Sequence, residues 1–175
     1  MNIPNLLSIL RLMLLPCLML EVRNGDGILA LVILGAMAIT DSLDGYLARK
    51  FGLASEIGKL LDHGVDKIVT LSLSYALWQW RGLPTWAFIS ITLRELALLL
   101  GGVYLWRKSG KAVQSNMLGK VSGAFYTATV AAYILDVPFK SSLLYFTVVF
   151  MLLTALIYGL ERFGGLMLGK EEMSV

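Results

Sequence analysis

The chain has 175 residues, of which 57% are hydrophobic and only 15% charged, and it carries a net charge of +3. Soluble domains contain about 25% charged residues, so this composition excludes an ordinary soluble domain and favours a membrane protein. The length suits one domain, residues 1–175, and the mild charge gives no reason to expect a nucleic-acid partner.

Six segments are long and apolar enough to predict membrane-spanning helices, because such a helix needs about 20 mostly apolar residues. They cover residues 4–23, 27–49, 57–80, 85–107, 117–136 and 140–161. The breaks between them are rich in Gly, Pro, Asn and Asp, which is typical of turns. Residues 2–5 (Asn, Ile, Pro, Asn) are expected to start a short helix on the membrane surface. The sequence therefore predicts an all-α integral membrane protein with six transmembrane helices and a short N-terminal interfacial helix.

Basic residues are distributed unevenly between the two sides of this predicted bundle. The side that holds both termini and the loops near 50–59 and 107–120 carries nine of them: Arg49, Lys50, Lys59, Arg107, Lys108, Lys111, Lys120, Arg162 and Lys170. The opposite side carries Arg23, Arg81 and Lys140. Cytoplasmic loops of membrane proteins are enriched in Lys and Arg. We therefore expect a multi-pass protein of the cell membrane whose more basic side faces the cytoplasm.

The second, third and fourth predicted helices carry charges inside apolar spans. These residues are Asp41, Asp44, Asp62, Asp66, Lys67, Arg94 and Glu95. An Asp at the centre of a membrane helix costs roughly 2.5–3.5 kcal/mol, so four of them require compensation. Arg94 and Glu95 are adjacent and are therefore expected to point in different directions. Pairing with other helices explains them as well as substrate binding does.

Spacing predicts that the four Asp side chains meet. Asp41 and Asp44 are three residues apart, and Asp62 and Asp66 are four apart, so each pair shares one helix face. A short loop joins the two helices, which makes them antiparallel neighbours. At 1.5 Å per residue, Asp41 and Asp66 both lie about 21 Å from the far surface. In a core of about 30 Å, that places them about 9 Å below the cytoplasmic boundary.

Four carboxylates this close would repel one another unless cations lie between them. Arg11, Lys67 and Arg94 are the basic residues at membrane depth, too few to neutralise four Asp and Glu95. Divalent ions that prefer oxygen ligands, such as Mg²⁺, Mn²⁺ or Ca²⁺, are the natural counterions. Two of them would bind a pyrophosphate well. A cation transporter also places Asp inside a bundle, but it needs carboxylates that are accessible from both faces.

The stretch 41–66 resembles the signature of the CDP-alcohol phosphatidyltransferases. The matching residues are Asp41, Asp44, Gly45, Ala48, Arg49, Gly58, Asp62 and Asp66. The resemblance implies that the four Asp bind two divalent cations, Mg²⁺ or Mn²⁺, and that Asp66 is also the catalytic base. It implies that Gly45, Ala48, Arg49 and Gly58 shape the CDP site. It also implies a homodimer, surrounded by membrane lipids, that uses a CDP-linked lipid and releases CMP.

Two further stretches, residues 2–6 with Arg11 and residues 93–96, resemble the phosphatidylglycerophosphate synthases of this family. That resemblance implies CDP-diacylglycerol as the donor and a small phosphorylated alcohol, glycerol 3-phosphate, as the acceptor. Candidate residues for the acceptor phosphate are Lys108, Lys111, Lys120, Arg94 and Arg11. Because His63, Val65 and Gly123 differ from this subgroup's usual residues, two other acceptors stay open. They are inositol phosphate, and phosphatidylglycerol as used by the cardiolipin synthases of the family.

Overall fold

The computed structural model describes the backbone of residues 3–50, 56–109 and 117–167. Within the helices, the side chains of residues 3–8, 42, 44–50, 56–57, 59–62, 109 and 161–167 lie outside the described part. The described chain forms six helices: α1 (Ile3–Asn24), α2 (Gly27–Lys50), α3 (Glu56–Trp80), α4 (Thr85–Ser109), α5 (Met117–Ile134) and α6 (Lys140–Met167). The predicted all-α class and the six helical segments are confirmed. Each boundary lies within two residues of its prediction, except that α6 extends to Met167.

The first helix differs from its prediction. α1 runs without interruption from Ile3 to Asn24, so the separate interfacial helix predicted at the N-terminus is not a distinct element, and that prediction is corrected. Pro4 does not interrupt the helix because it stands in the first turn, where backbone N–H groups have no acceptor within the helix. The second proline of this helix, Pro16, lies in its interior.

Turn residues set the ends of the helices as predicted. Gly25 follows α1 with a φ of 94°, and Gly82 follows α3 with a φ of 71°, a region that glycine adopts without a steric penalty. The Gly25 amide donates to the Glu21 carbonyl at 3.0 Å and closes α1. The side chain of Asp26 then accepts the Leu29 amide at 2.9 Å and caps the start of α2.

The helices pack so that α3 contacts most of the bundle. α1 packs against both α2 and α3, α3 packs against α4 and α5, and α6 packs against α4 and α5. Leu18, Leu77 and Val130 are fully or almost fully buried in the core. Polar contacts tie the same elements together: the hydroxyls of Thr129 on α5 and Thr147 on α6 lie 2.8 Å apart.

Two helical segments within the described residues are long and apolar enough to cross a membrane, Thr85–Lys108 and Lys140–Leu160. A shorter apolar segment covers Gly27–Asp41. The rest of the chain covers little of the two long segments: Leu93 and Leu100 on α4, for example, are 63% and 68% exposed. Contiguous apolar surface of this kind marks contact with a membrane or a protein. These surfaces support association with a membrane.

Candidate active site

An arginine from α1 joins carboxylates from two other helices. The Nη1 atom of Arg11 donates to Oδ1 of Asp41 on α2, and to Oδ1 of Asp66 on α3 at 2.5 Å. Because one nitrogen atom binds both oxygens, the two carboxylates lie next to each other. The predicted meeting of Asp41 with Asp66 is therefore confirmed. We call Arg11, Asp41 and Asp66 the Arg11 cluster.

The Arg11 cluster lies towards one end of the bundle. Arg11 follows the start of α1 by eight residues, Asp41 precedes the end of α2 by nine, and Asp66 follows the start of α3 by ten. At 1.5 Å per residue, all three are about 12–15 Å from those helix ends. The antiparallel arrangement of α1, α2 and α3 brings the three ends to the same side, as the spacing of the Asp residues predicts.

Arg11 and the two carboxylates that it binds differ in solvent exposure. The Arg11 side chain is only 3% exposed, whereas those of Asp41 and Asp66 are 48% and 44% exposed. The arginine is therefore enclosed by the bundle, whereas the two carboxylates are partly accessible from outside. Half-exposed carboxylate oxygens that converge from two helices are the ligand type that Mg²⁺ and Mn²⁺ prefer. The described residues thus supply two of the oxygen ligands that a divalent-cation site would need.

The other two acidic residues of the signature are only partly placed. Asp44 is one helical turn beyond Asp41 on α2, and Asp62 is one turn before Asp66 on α3, but their side chains lie outside the described residues. Among the side chains that are described, no three carboxylate, His or Cys groups come together as a metal site. The predicted roles of Asp44 and Asp62 as cation ligands therefore stay predictions.

The residues predicted to shape the CDP site lie on the same two helices. Gly45, Ala48 and Arg49 belong to the last turns of α2, and Gly58 lies in the first turn of α3. Gly58 is half-buried, and the side chains of Ala48 and Arg49 lie outside the described residues. Their contribution to CDP binding stays a prediction.

A second ion cluster lies beside the first. Glu95 on α4 is 2% exposed and binds Lys67 of α3 through Oε2 and Arg94 through Oε1. The Nη2 atom of Arg94 also reaches the Ser122 hydroxyl of α5 at 3.4 Å. We call Lys67, Arg94 and Glu95 the Glu95 cluster. It joins three helices around one buried carboxylate.

The Glu95 cluster corrects one expectation. Arg94 and Glu95 were expected to point in different directions, but the long Arg94 side chain folds back onto the neighbouring carboxylate. Sequence reasoning also missed two polar residues of α5 that contact neighbouring helices. Ser122 accepts from Arg94 of α4, and the Tyr126 hydroxyl donates to the Thr70 carbonyl of α3 at 2.8 Å. Their spacing of four residues on one face of α5 is the signal that could have revealed them.

Four of the five candidates for the acceptor phosphate have described side chains, and these fall into two groups. Lys108 at the end of α4 and Lys120 in the first turn of α5 are exposed, and Lys111 lies outside the described residues. The side chains of Arg11 and Arg94 are only 3% and 9% exposed, and both bind carboxylates. The exposed lysines are therefore better suited to capture a soluble phosphate than the two arginines are.

The sequence of this chain matches those of known proteins. The family model described as CDP-alcohol phosphatidyltransferase matches residues 1–156. This chain belongs to the CDP-alcohol phosphatidyltransferase family. It is therefore an enzyme, a membrane transferase of phospholipid biosynthesis, which confirms the resemblance read from the signature. The alternative of a cation transporter is not supported.

Three relatives illustrate the range within the family. The phosphatidyltransferase is 33% identical over 139 residues to the CDP-diacylglycerol–glycerol-3-phosphate 3-phosphatidyltransferase of Aquifex aeolicus, covering 78% of this chain and 75% of that protein. It is 31% identical over 160 residues to the Bacillus subtilis protein of the same name, covering 79% and 80%. It is also 37% identical over 130 residues to a CMP-forming cardiolipin synthase of Streptomyces coelicolor, covering 70% and 60%.

Proposed function

We propose that this phosphatidyltransferase moves a phosphatidyl group from CDP-diacylglycerol to glycerol 3-phosphate and releases CMP. The relatives from Aquifex and Bacillus carry the name of this reaction and align over most of their length. The structural observation that carries the proposal is the meeting of Asp41 from α2 and Asp66 from α3, both half-exposed, on the Nη1 atom of Arg11 from α1. These are the first and last acidic residues of the family signature.

The four signature carboxylates would hold two divalent cations, Mg²⁺ or Mn²⁺. The residues are Asp41, Asp44, Asp62 and Asp66. When bound, such cations neutralise the pyrophosphate of the donor and stabilise the charge on the departing CMP. The chemistry of the donors supports this assignment, since carboxylate oxygens are the ligands that both cations prefer.

Asp66 would act as the catalytic base. Its carboxylate accepts the proton of the acceptor's hydroxyl group. The hydroxyl oxygen then bonds to the phosphorus next to diacylglycerol, the bond from that phosphorus to the CMP oxygen breaks, and CMP keeps the electron pair. The 44% exposure of the Asp66 side chain supports the role because an acceptor can reach the carboxylate.

The two substrates would be bound by two different groups of residues. Gly45, Ala48, Arg49 and Gly58 would shape the CDP site on α2 and α3. Lys108, Lys111 and Lys120, which border the connection from α4 to α5, would attract the acceptor phosphate. Arg94 is a weaker candidate for that role because Glu95 and Ser122 already engage it.

All six helices would cross the membrane, with the active site on the cytoplasmic side. The helices contain 18–28 residues, which corresponds to about 27–42 Å against a hydrocarbon core of about 30 Å. The excess of basic residues at the end nearest the Arg11 cluster supports the orientation. The acyl chains of the donor would then stay in the bilayer while cytidine stays in water. A homodimer is proposed because the family resemblance implies one.

Phosphatidylglycerol is the second candidate acceptor. The observation that favours it is the 37% identity to the Streptomyces relative, which is named as a cardiolipin synthase. The two acceptors differ in physical state, since glycerol 3-phosphate arrives from water and phosphatidylglycerol from the bilayer. Inositol phosphate, which the sequence also leaves open, would arrive from water.

A product assay tests the proposal directly. The purified chain in mixed micelles is given labelled CDP-diacylglycerol and Mg²⁺, with glycerol 3-phosphate, phosphatidylglycerol or inositol phosphate supplied separately. Phosphatidylglycerophosphate and an equal amount of CMP are expected with the first acceptor, and neither is expected when EDTA replaces Mg²⁺. Formation of cardiolipin alone would reassign the acceptor. No CMP with any of the three would reject the proposed reaction.

A further inference from the structure

We propose that Arg11 is a positioning residue. It would be a built-in counterion that holds Asp41 and Asp66 together in the cation-free enzyme and competes with divalent cations for their oxygens. The inference rests on the proposed cation site. It differs from the prediction that Arg11 binds the acceptor phosphate. The observation behind it is that a single buried atom, Nη1 of Arg11, binds Oδ1 of both carboxylates.

Burial fixes Arg11 in this position. Leu15 and Leu18 follow Arg11 by four and seven residues and are 6% and 0% exposed, so all three lie on the face of α1 that packs into the bundle. The Arg11 side chain is itself 3% exposed. Reaching a phosphate in the open part of the site would require this side chain to leave both carboxylates. The arginine is therefore better placed to organise the site than to capture a substrate.

The two carboxylates need such a counterion when no cation is bound. Like charges on neighbouring helices repel, and the repulsion is stronger near a protein interior than in water. The positive charge of Arg11 offsets this repulsion and holds Asp41 of α2 beside Asp66 of α3 in the cation-free enzyme. A guanidinium that contacts two carboxylates also supplies charge-assisted hydrogen bonds, which are stronger than neutral ones.

The same contact has a consequence for cation binding. A divalent cation bound to these oxygens would face the positive charge of Arg11 at close range, so the arginine weakens cation binding while it stabilises the cation-free state. Removal of its charge should destabilise the cation-free enzyme more than the loaded one. By linkage, the variant should then gain more stability from the cation than the wild type does.

The experiment measures thermal unfolding of the full chain in detergent, in EDTA and across a MgCl₂ titration, for the wild type and R11Q. In EDTA, R11Q is expected to unfold at a lower Tm than the wild type. Its Mg²⁺-induced rise in Tm should be larger, and half of the rise should need several-fold less Mg²⁺. R11K, which keeps the charge on a single ammonium group, should fall between the two.

Arg81 offers a matched control at the opposite end of the bundle. Its Nε atom donates to the Val22 carbonyl at 2.9 Å and ties the end of α3 to the end of α1. R81Q also removes an arginine that joins helices, but far from the cation site. Its Tm should fall by the same amount in EDTA and in Mg²⁺.

The possible outcomes separate the inference from the function on which it rests. If the wild type responds to Mg²⁺ and R11Q gains the same rise or less, Arg11 does not compete with cations and the inference is overturned. If R11Q cannot be purified folded, a Mg²⁺ response of R11K equal to that of the wild type overturns it. A raised KM for glycerol 3-phosphate in R11Q, with an unchanged Mg²⁺ response, overturns the inference and shows instead that Arg11 binds the acceptor phosphate. A wild type with no response to Mg²⁺ rejects the cation site itself.

Discussion

The Arg11 cluster and the Glu95 cluster begin at adjacent residues of α3 and have opposite charge balances. Asp66 enters the first, where one arginine faces two carboxylates, and Lys67 enters the second, where two cations face one carboxylate. Adjacent residues of a helix project about 100° apart, so Asp66 points towards α1 and α2 while Lys67 points towards α4. The helix α3 thus contributes one residue to the candidate active site and the next residue to the buried ion cluster beside it.

The side chains of the two clusters differ in solvent exposure, and this difference suits them to different roles. The carboxylates of the Arg11 cluster are about half exposed, whereas Lys67, Arg94 and Glu95 are 13%, 9% and 2% exposed. An open, anion-rich cluster can accept cations and a substrate. Burying the Glu95 cluster costs desolvation free energy, and its ion pairs offset this cost only while every partner is present. The cluster therefore suits the fixing of α3 against α4 and α5. Substitutions in each of the two clusters test this contrast.

The largest effect is expected when the buried carboxylate is neutralised. E95Q leaves Lys67 and Arg94 inside the bundle without their shared anion. Loss of one partner from a buried ion pair costs about 3–5 kcal/mol, so E95Q should lower the free energy of unfolding in detergent by a similar amount. K67Q is the matched control, because Glu95 then keeps Arg94 and the charges balance.

The double variant E95Q/K67Q completes the test. It removes the carboxylate and one of the two cations, so part of the stability lost in E95Q should return. The two substitutions would then be strongly non-additive, as expected for residues in contact. If E95Q were no less stable than K67Q, the Glu95 cluster would not support the bundle, and the contrast between the two clusters would fail.

The next effect is expected in the Arg11 cluster, on turnover. D66N removes the proposed base and should lower turnover by about 10² or more while the enzyme still binds CDP-diacylglycerol. That loss corresponds to about 2.7 kcal/mol of transition-state stabilisation. The measurement is CMP release at saturating Mg²⁺, together with binding of the labelled donor.

D41N provides the comparison for D66N. Each variant removes one carboxylate from Arg11, but only Asp66 is assigned the proton transfer. Raised Mg²⁺ should therefore restore part of the turnover in D41N and none in D66N. Turnover near that of the wild type in D66N would remove Asp66 from the role of base.

The two clusters also show what sequence can and cannot predict. The helix boundaries followed from turn residues such as Gly25 and Gly82, whose backbone requirements are local. The meeting of Asp41 with Asp66 followed from helix periodicity and a short connection. Both are properties of one or two neighbouring elements, which a sequence encodes directly.

The ion-pair partners of the basic side chains could not be predicted in the same way. Arg11 reaches Asp41 across 30 positions of the chain and Lys67 reaches Glu95 across 28, so both contacts depend on which helices become neighbours. The bond from Arg94 to Glu95 was missed for another reason. Spacing rules describe where a side chain leaves the helix, whereas a long flexible arginine can fold back on its neighbour.

The smallest effect is expected at the connection between α5 and α6, which lies at the opposite end from the Arg11 cluster. Asp136 has a φ of 54° there and accepts a hydrogen bond from Lys140, one helical turn further on.

That hydrogen bond, followed by the charge of Lys140, lowers the pKa of the exposed Asp136 carboxyl below its ordinary value of 3.8. A lowered pKa means that the pair stabilises the fold above pH 3.8 and that this contribution disappears as the pH falls through the lowered value.

D136N keeps a residue that tolerates the left-handed backbone and removes only the charge. Its Tm should be slightly below that of the wild type at pH 7, and the gap should close in acid, with turnover unchanged throughout. A gap that persisted at full size in acid would assign the effect to the turn itself, and lost turnover would mean that this end of the bundle is coupled to the two clusters.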